Sequence, residues 1–453
     1  MSTEFKPHAY QSRAIDHVID NERSLLFLDM GLGKTVITLT AVRRLMWWGD
    51  VRRVLVVAPA MVTATTWSDE AAKWRHTEDM RVVPLTGSPG QREKLLGTDA
   101  DVNVISRDLL VWLVTYYRRR RWPWDMIVLD ELTSFKSPGS ARFRAMRRLT
   151  GVVSRVVGLT GTPAPNGMQD LWAQVYCIDG GKRLETTYTR FKSEYFDVYR
   201  IQNWEKLSLK KGSEARIRAA IADIALSMRA ADWLTLPPCT VSDFAVELPP
   251  KARRAYEALK RELLLEFGDG SGVTADSAAV LVGKLSQLAN GGVYDGDGSV
   301  HEVHTAKTDA LSEIVEAADT PVLCFYQYRH DAERILRAFK GRFAVEMYNG
   351  AEILRKWNNG TIKLLLAHPA SCAYGLNMQQ GGRHVVWYST GYNLEQYLQA
   401  NARLHRQGQA RPVTVTRICA RGTVDEAMLA ALRDKTGVQD VLMAELRKNN
   451  RGA

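Results

Sequence analysis

Ser24-Leu25-Leu26-Phe27-Leu28-Asp29-Met30-Gly31-Leu32-Gly33-Lys34-Thr35 is an apolar run that breaks into a glycine loop and ends on a lysine and a hydroxyl residue. Residues 36–47 then read as a helix. Strand, glycine loop and helix in that order make a phosphate cradle. The glycines let backbone N–H groups approach, and the helix N-terminus adds partial positive charge. Gly31, Leu32 and Gly33 form the loop. Lys34 is placed to reach nucleotide phosphates, and Thr35 to hold Mg²⁺. Leu28 stands where the full spacing of such loops has its first glycine.

Further apolar runs lie outward from this loop, at 54–58, 102–105, 126–129 and 152–159, with helical patterns between them. Alternation of this kind predicts a parallel sheet covered on both faces. It stops in the middle of the chain and resumes with runs at 322–325, 363–367, 384–388 and 413–416. A helix is expected over 394–404. The fold class is therefore α/β, with two parallel-sheet lobes at 1–180 and 305–453. Helical insertions and a linker are expected over 181–304, with 183–229 charged and aromatic. The glycines of 268–272 suggest a mobile loop, and 290–298 is rich in turn residues.

Composition excludes several classes. Hydrophobic content of 45% and charged content of 25% are those of an ordinary globular protein. Five widely spaced cysteines without a CxxC pair fit neither a disulfide framework nor a structural zinc site, and they suit a reducing compartment. The first ten residues lack the apolar core of a signal peptide, and no apolar run is long enough to span a membrane. A cytoplasmic protein without a membrane partner is expected. The net charge of +11 suits a polyanion such as nucleic acid, or simply a soluble basic protein.

Two more segments carry chemistry. Asp130-Glu131 ends the run 126–129, at the carboxyl end of a buried parallel strand, where ligands bind in open α/β sheets. Asp130 suits Mg²⁺, and Glu131 suits the activation of water. Near the other end lies Gln399-Ala400-Asn401-Ala402-Arg403-Leu404-His405-Arg406-Gln407-Gly408-Gln409. Arg403 and Arg406, three residues apart on or just after a helix, suit the stabilisation of charge on a transferring phosphoryl group. An ATP site split between two lobes converts hydrolysis into motion.

Together these segments resemble the Swi/Snf branch of the superfamily-two helicase-like ATPases. Tyr10-Gln11 resembles the adenine-reading Q motif. The string 29–35 resembles the branch's phosphate loop, which accounts for the missing glycine. Val57-Ala58-Pro59 with Trp67 and Lys73-Trp74 resembles motif Ia, and Leu159-Thr160-Gly161-Thr162-Pro163 with Asn166 resembles motif III. Residues 322–328 resemble motif IV, Gly375-Leu376-Asn377 motif V, and 399–409 the branch-specific form of motif VI. Residues 248–256, 305–311 and 422–426 resemble segments between motifs. The order is preserved along nearly the whole chain.

The resemblance implies two RecA-like lobes of the P-loop NTPase fold, with ATP and Mg²⁺ between them. Gln11, Gly375 and Gln399 would contact the nucleotide, and Thr160, Gly161 and Thr162 would couple hydrolysis to motion. Motif II reads Asp130-Glu131-Leu132-Thr133 and departs from DEAH. His368-Pro369-Ala370-Ser371 departs from the usual opening of motif V. Compact members with such variants are similar to those of bacteriophage and bacterial genomes, so a bacterial or phage-infected cytoplasm is expected.

Nucleic-acid contacts implied by the resemblance fall at Pro59, Thr63, Arg107, Arg329, Ser371 and Asn377. Such contacts follow the phosphate backbone and do not read sequence. The run Arg118-Arg119-Arg120-Arg121 between Tyr117 and Trp122 reads as a solvated loop, a nucleic-acid patch or a localisation signal. Most of this branch translocates on duplex DNA, which favours DNA over RNA as partner. A strand-separating DNA or RNA helicase is one alternative. A nucleotide-switched clamp with little turnover is another, and the intact Glu131, Arg403 and Arg406 argue against it.

Overall fold

Unbroken runs of valine, leucine and isoleucine suit strands buried on both faces, and both large sheets form from them. The computed structural model of the protein describes residues 2–201, 204–228, 230–234, 236–266, 275–372 and 376–434. The chain divides into two units, Met1–Thr235 and Leu236–Ala453.

The first unit is built on seven parallel strands. They are β1 (Arg23–Leu28), β2 (Val54–Ala58), β3 (Val82–Pro84), β4 (Val102–Ser106), β5 (Met126–Asp130), β6 (Arg155–Thr160) and β9 (Ala225–Met228). Their order is β3-β4-β2-β5-β6-β1-β9. β6 thus separates β1 from β5. Leu25, Ile127 and Val156 share a core with Phe143, Trp172 and Ile178 from the covering helices Ala141–Leu149 and Leu171–Asp179. Gly158 of β6 lies where that core is tightest. A Cβ there would stand 2.6 Å from Leu132 Cδ2 and 3.0 Å from Ile178 Cδ1.

The second unit has six parallel strands, in the order β10-β17-β16-β13-β15-β14. These are β10 (Cys239–Val246), β13 (Val322–Phe325), β14 (Val345–Met347), β15 (Leu364–Ala367), β16 (His384–Trp387) and β17 (Val413–Ala420). A buried polar knot ties its helices together. Lys307 Nζ meets Asp425 at 2.6 Å and donates to Asn290 Oδ1 at 2.7 Å. Asn290 Nδ2 donates to Asp331 at 3.0 Å, as does Ser389 Oγ at 3.1 Å.

The middle of the chain differs from the helical reading. Segment 181–304 is shared between the units and contains strands. β7 (Phe196–Ile201) and β8 (Trp204–Leu209) pair antiparallel, as do β11 (Gly292–Tyr294) and β12 (Val300–Glu302). β9 and β10 are edge strands of the two large sheets. Seven of the eight residues of β10 are exposed or half-buried, so it lacks the continuous apolar signature of an interior strand. The glycine stretch 268–272 lies outside the described residues. No helix among them is long and apolar enough to cross a membrane. All five cysteines are free, four of them buried.

Candidate functional site

β1 ends at Leu28, and the chain turns through 29–33 into the helix Lys34–Trp48. Gly31 and Gly33 have φ of 85° and 79°, a region open chiefly to glycine. At Gly33 a Cβ would also stand 2.9 Å from Gln11 Nε2. Leu32 is fully buried and anchors the loop from below. Lys34 Nζ donates to the Leu28 carbonyl at 2.9 Å and the Asp29 carbonyl at 3.4 Å. Thr35 is half-buried on the first helical turn. Asp29 accepts from the Ala230 N–H at 2.9 Å, which ties the loop to the segment after β9.

Gln11 closes the other side of the loop. It sits in the first turn of the helix Ala9–Asp20, and its Oε1 accepts from the His8 N–H at 2.9 Å. Its amide nitrogen therefore faces Gly33. Tyr10, also buried, stacks on His8 with centroids 5.5 Å apart and lies 5.8 Å from Trp233.

Asp130 is the last residue of β5. Burial pushes its carboxyl upward, opposed by a hydrogen bond from Trp67 and by the charge of Lys34. The Trp67 indole donates to Oδ2 at 3.1 Å. Glu131 follows with φ 57° and ψ 65°, a left-handed conformation uncommon for a residue with a side chain. Strain of this kind turns the chain out of the sheet at the position expected to activate water.

β6 brings Thr160, Gly161 and Thr162 to the same edge. Thr160 pairs level with Phe27 of β1, and Leu159 with Asp130 of β5. Thr160 Oγ1 accepts from the Thr162 N–H at 3.1 Å. A Cβ on Gly161 would stand 3.3 Å from the Leu28 carbonyl and 3.7 Å from Lys34 Nζ. The Thr162 hydroxyl is buried and has no hydrogen-bond partner among the described residues. Three loops thus meet at the carboxyl edge of one sheet. They offer an ammonium, backbone N–H groups, a hydroxyl and a carboxylate, the donor set of a nucleotide triphosphate with a hard cation.

In the second unit the helix Leu394–Asn401 ends three residues before the end expected from sequence. Arg403 and Arg406 therefore lie in the turn beyond it and share no helical face. They converge instead on one acceptor: Arg403 Nη1 and Arg406 Nη1 donate to the Leu376 carbonyl at 3.2 and 3.1 Å. Arg403 also donates to the Gln399 carbonyl at 3.0 Å. The buried Gln399 amide bonds Glu395 at 3.3 Å. Gly375 lies outside the described residues.

The nucleic-acid candidates are less uniform. Pro59 caps the short helix Ala60–Thr63, and the buried Thr63 hydroxyl donates to its carbonyl at 3.0 Å. Arg107 follows β4, and its charge acts on Asp130. Arg329 is exposed and pairs with Glu333 at 2.8 Å. Ser371 Oγ donates to the His368 carbonyl at 2.7 Å, and the carbonyl of exposed Asn377 accepts from Asn358 at 3.0 Å. Trp67 is the residue that sequence reading left without a role. It marks motif Ia, but nothing in the spacing shows that its indole reaches Asp130, which lies 63 positions away.

Comparison with known proteins agrees with this geometry. The SNF2-related domain matches residues 10–290, and the helicase conserved C-terminal domain matches 306–408. Protein p41 of Acyrthosiphon pisum secondary endosymbiont phage 1 is 40% identical, over 98% of this chain and 99% of its own length. An uncharacterized ATP-dependent helicase of Mycoplasma genitalium is 24% identical over 93% of this chain, which spans 41% of that protein. The Pyrococcus furiosus Hef helicase domain shares the fold, with a TM-score of 0.56 at 17% identity over 94% of this chain and 98% of that one. The chain belongs to the SNF2-related family of ATP-dependent, helicase-like enzymes.

Proposed function

We propose that this enzyme is a DNA translocase, which couples ATP hydrolysis to movement along duplex DNA. The observation that carries the reading is the meeting of the 29–34 loop, Asp130-Glu131 and Thr160-Gly161-Thr162 at one sheet edge, with Lys34 acting on Asp130. Lys34 and the loop N–H groups hold phosphate oxygens. Thr35 and Asp130 hold Mg²⁺, which when bound offsets phosphate charge. Glu131 orients water and takes its proton. Arg403 and Arg406, from their motif, would offset charge that develops on a phosphoryl group in the transition state. Gly161, packed against Lys34 Nζ, passes changes at the phosphates into β6.

Family membership and the charge of +11 support DNA as the partner. Most members of this branch move along duplexes without separating strands, which favours translocation over unwinding. ATP turnover measured with duplex DNA, single-stranded DNA and RNA tests the reading. Duplex should stimulate most. Glu131→Gln should lower turnover about 10²–10⁴-fold while nucleotide binding persists. Stimulation by single strands or RNA alone would make the enzyme a helicase. Turnover near zero with every nucleic acid would indicate a clamp.

A further inference from the structure

The arginine run 118–121 has no part in the site above, and the fold shows where it lies. The helix Leu110–Tyr116 ends just before it, and β5 begins just after it at Met126. It therefore sits at the amino edge of the sheet. The nucleotide loop lies at the carboxyl edge, about 15 Å away along a five-residue strand.

The helix Ala141–Leu149 packs against Leu110–Tyr116 and ends at the same edge, where β6 begins. The Asp125 carbonyl accepts from the N–H groups of Ser154 and Arg155 at 3.0 and 3.2 Å, which holds the two loops together. Arg144, Arg147 and Arg148 follow at i, i+3 and i+4, so they form one stripe of that helix. Phe143, Met146 and Leu149 bury its other side.

All seven arginines are exposed, and among the described residues none forms an ion pair. Nearby carboxylates are engaged elsewhere. Asp125 accepts from the N–H groups of Arg52 and Arg53 at 2.8 and 3.2 Å. Asp108 takes Arg142 at 3.5 Å, Asp99 and Asp101 take Arg81, and Glu22 and Asp50 act on Arg155. Helix dipoles favour cations at 147 and 148 and just past Tyr116, but not the one at 144. Arg120 lies over the Tyr116 ring at 4.0 Å, and Tyr116 stacks on Trp112 at 5.7 Å. Clustered guanidinium groups with no carboxylate partner, one of them fixed on an aromatic ring, are a surface for phosphate oxygens.

We propose that this amino edge of the first unit is a second DNA contact, gripping backbone phosphates away from the nucleotide loop. It rests on the reading of DNA as partner. The planar donors and aromatic base favour nucleic acid over an acidic protein.

The test is binding of a labelled duplex to the full-length protein across a salt series. It compares wild type with Arg118→Ala/Arg119→Ala/Arg147→Ala/Arg148→Ala and with the matching lysine variant. The alanine variant should bind about tenfold or more weakly near 0.1 M salt. Its slope of log affinity against log salt should be shallower by about 2–4. The lysine variant should keep most of the slope, and turnover at saturating duplex should stay within about twofold for both. Wild-type affinity and slope in the alanine variant would overturn the proposal while leaving duplex-stimulated turnover intact. Loss of polyglutamate binding with DNA binding unchanged would assign the edge to an acidic protein instead. A wild-type protein that binds no duplex would overturn this proposal and the translocase reading together.

Discussion

The chemistry of this site rests on how a few side chains are held. Asp130 is half-buried, and its carboxylate is held by the Trp67 indole, the charge of Lys34, the Glu131 backbone and the charge of Arg107. Trp67→Phe keeps the ring's bulk and removes the donor. A buried acceptor left unsatisfied costs about 1–3 kcal/mol. The variant should lose about tenfold in kcat/KM and need more Mg²⁺ to saturate. A magnesium titration of turnover checks this, and an unaltered magnesium dependence would reduce Trp67 to a packing residue. The placing of Lys34, Asp130 and Glu131 at one sheet edge was legible because glycine loops after a strand and carboxylates at strand ends mark that edge. Trp67 was not legible, since an indole gives no sign in sequence of which distant group it meets.

Among elements, β6 has the decisive place. It lies between the strand that feeds the phosphate loop and the strand that ends in Asp130. Gly158 lets Leu132 and Ile178 pack against it. Gly158→Ala should destabilise the first unit by about 1–3 kcal/mol, since the fully buried Leu132 and Ile178 would have to shift. Thermal unfolding followed by tryptophan fluorescence would show the shift. The interior strands were readable from their continuous apolar runs. The edge strands β9 and β10 were not, because one solvated face dilutes that signal. The hairpin β7–β8 was hidden for a related reason: Val198 and Tyr199 are both exposed, so its alternation marks no buried face. The arginine spacing suggested a shared helical face, whereas the pair meets through a carbonyl in a turn.

At the scale of the whole molecule, the polar knot of the second unit sets a response to acid. Burial lowers His304 and His330 to about 4, from an ordinary value near 6.5. Their stabilising contribution is complete above pH 6.5 and is lost as pH falls toward 4. Asp331, raised by burial to about 6, works in the opposite sense: the folded state holds its proton between about pH 4 and 6, where the unfolded chain releases it. Two histidines outweigh one carboxyl, so these groups should cost a net loss on the order of 3 kcal/mol between pH 6.5 and 4. His330→Phe should flatten that loss. Unfolding of both proteins in a pH series provides the check, and equal acid sensitivity would contradict it.

Movement along an intact duplex is the central claim, and displacement of a third strand measures it directly. A triplex-forming oligonucleotide is placed at one end of a duplex, and its release is followed after ATP addition. A translocase should release it in an ATP-dependent way, more slowly as the duplex to be crossed lengthens, and not at all with Glu131→Gln. The duplex strands should stay paired. Vigorous duplex-stimulated hydrolysis without release of the third strand would contradict it.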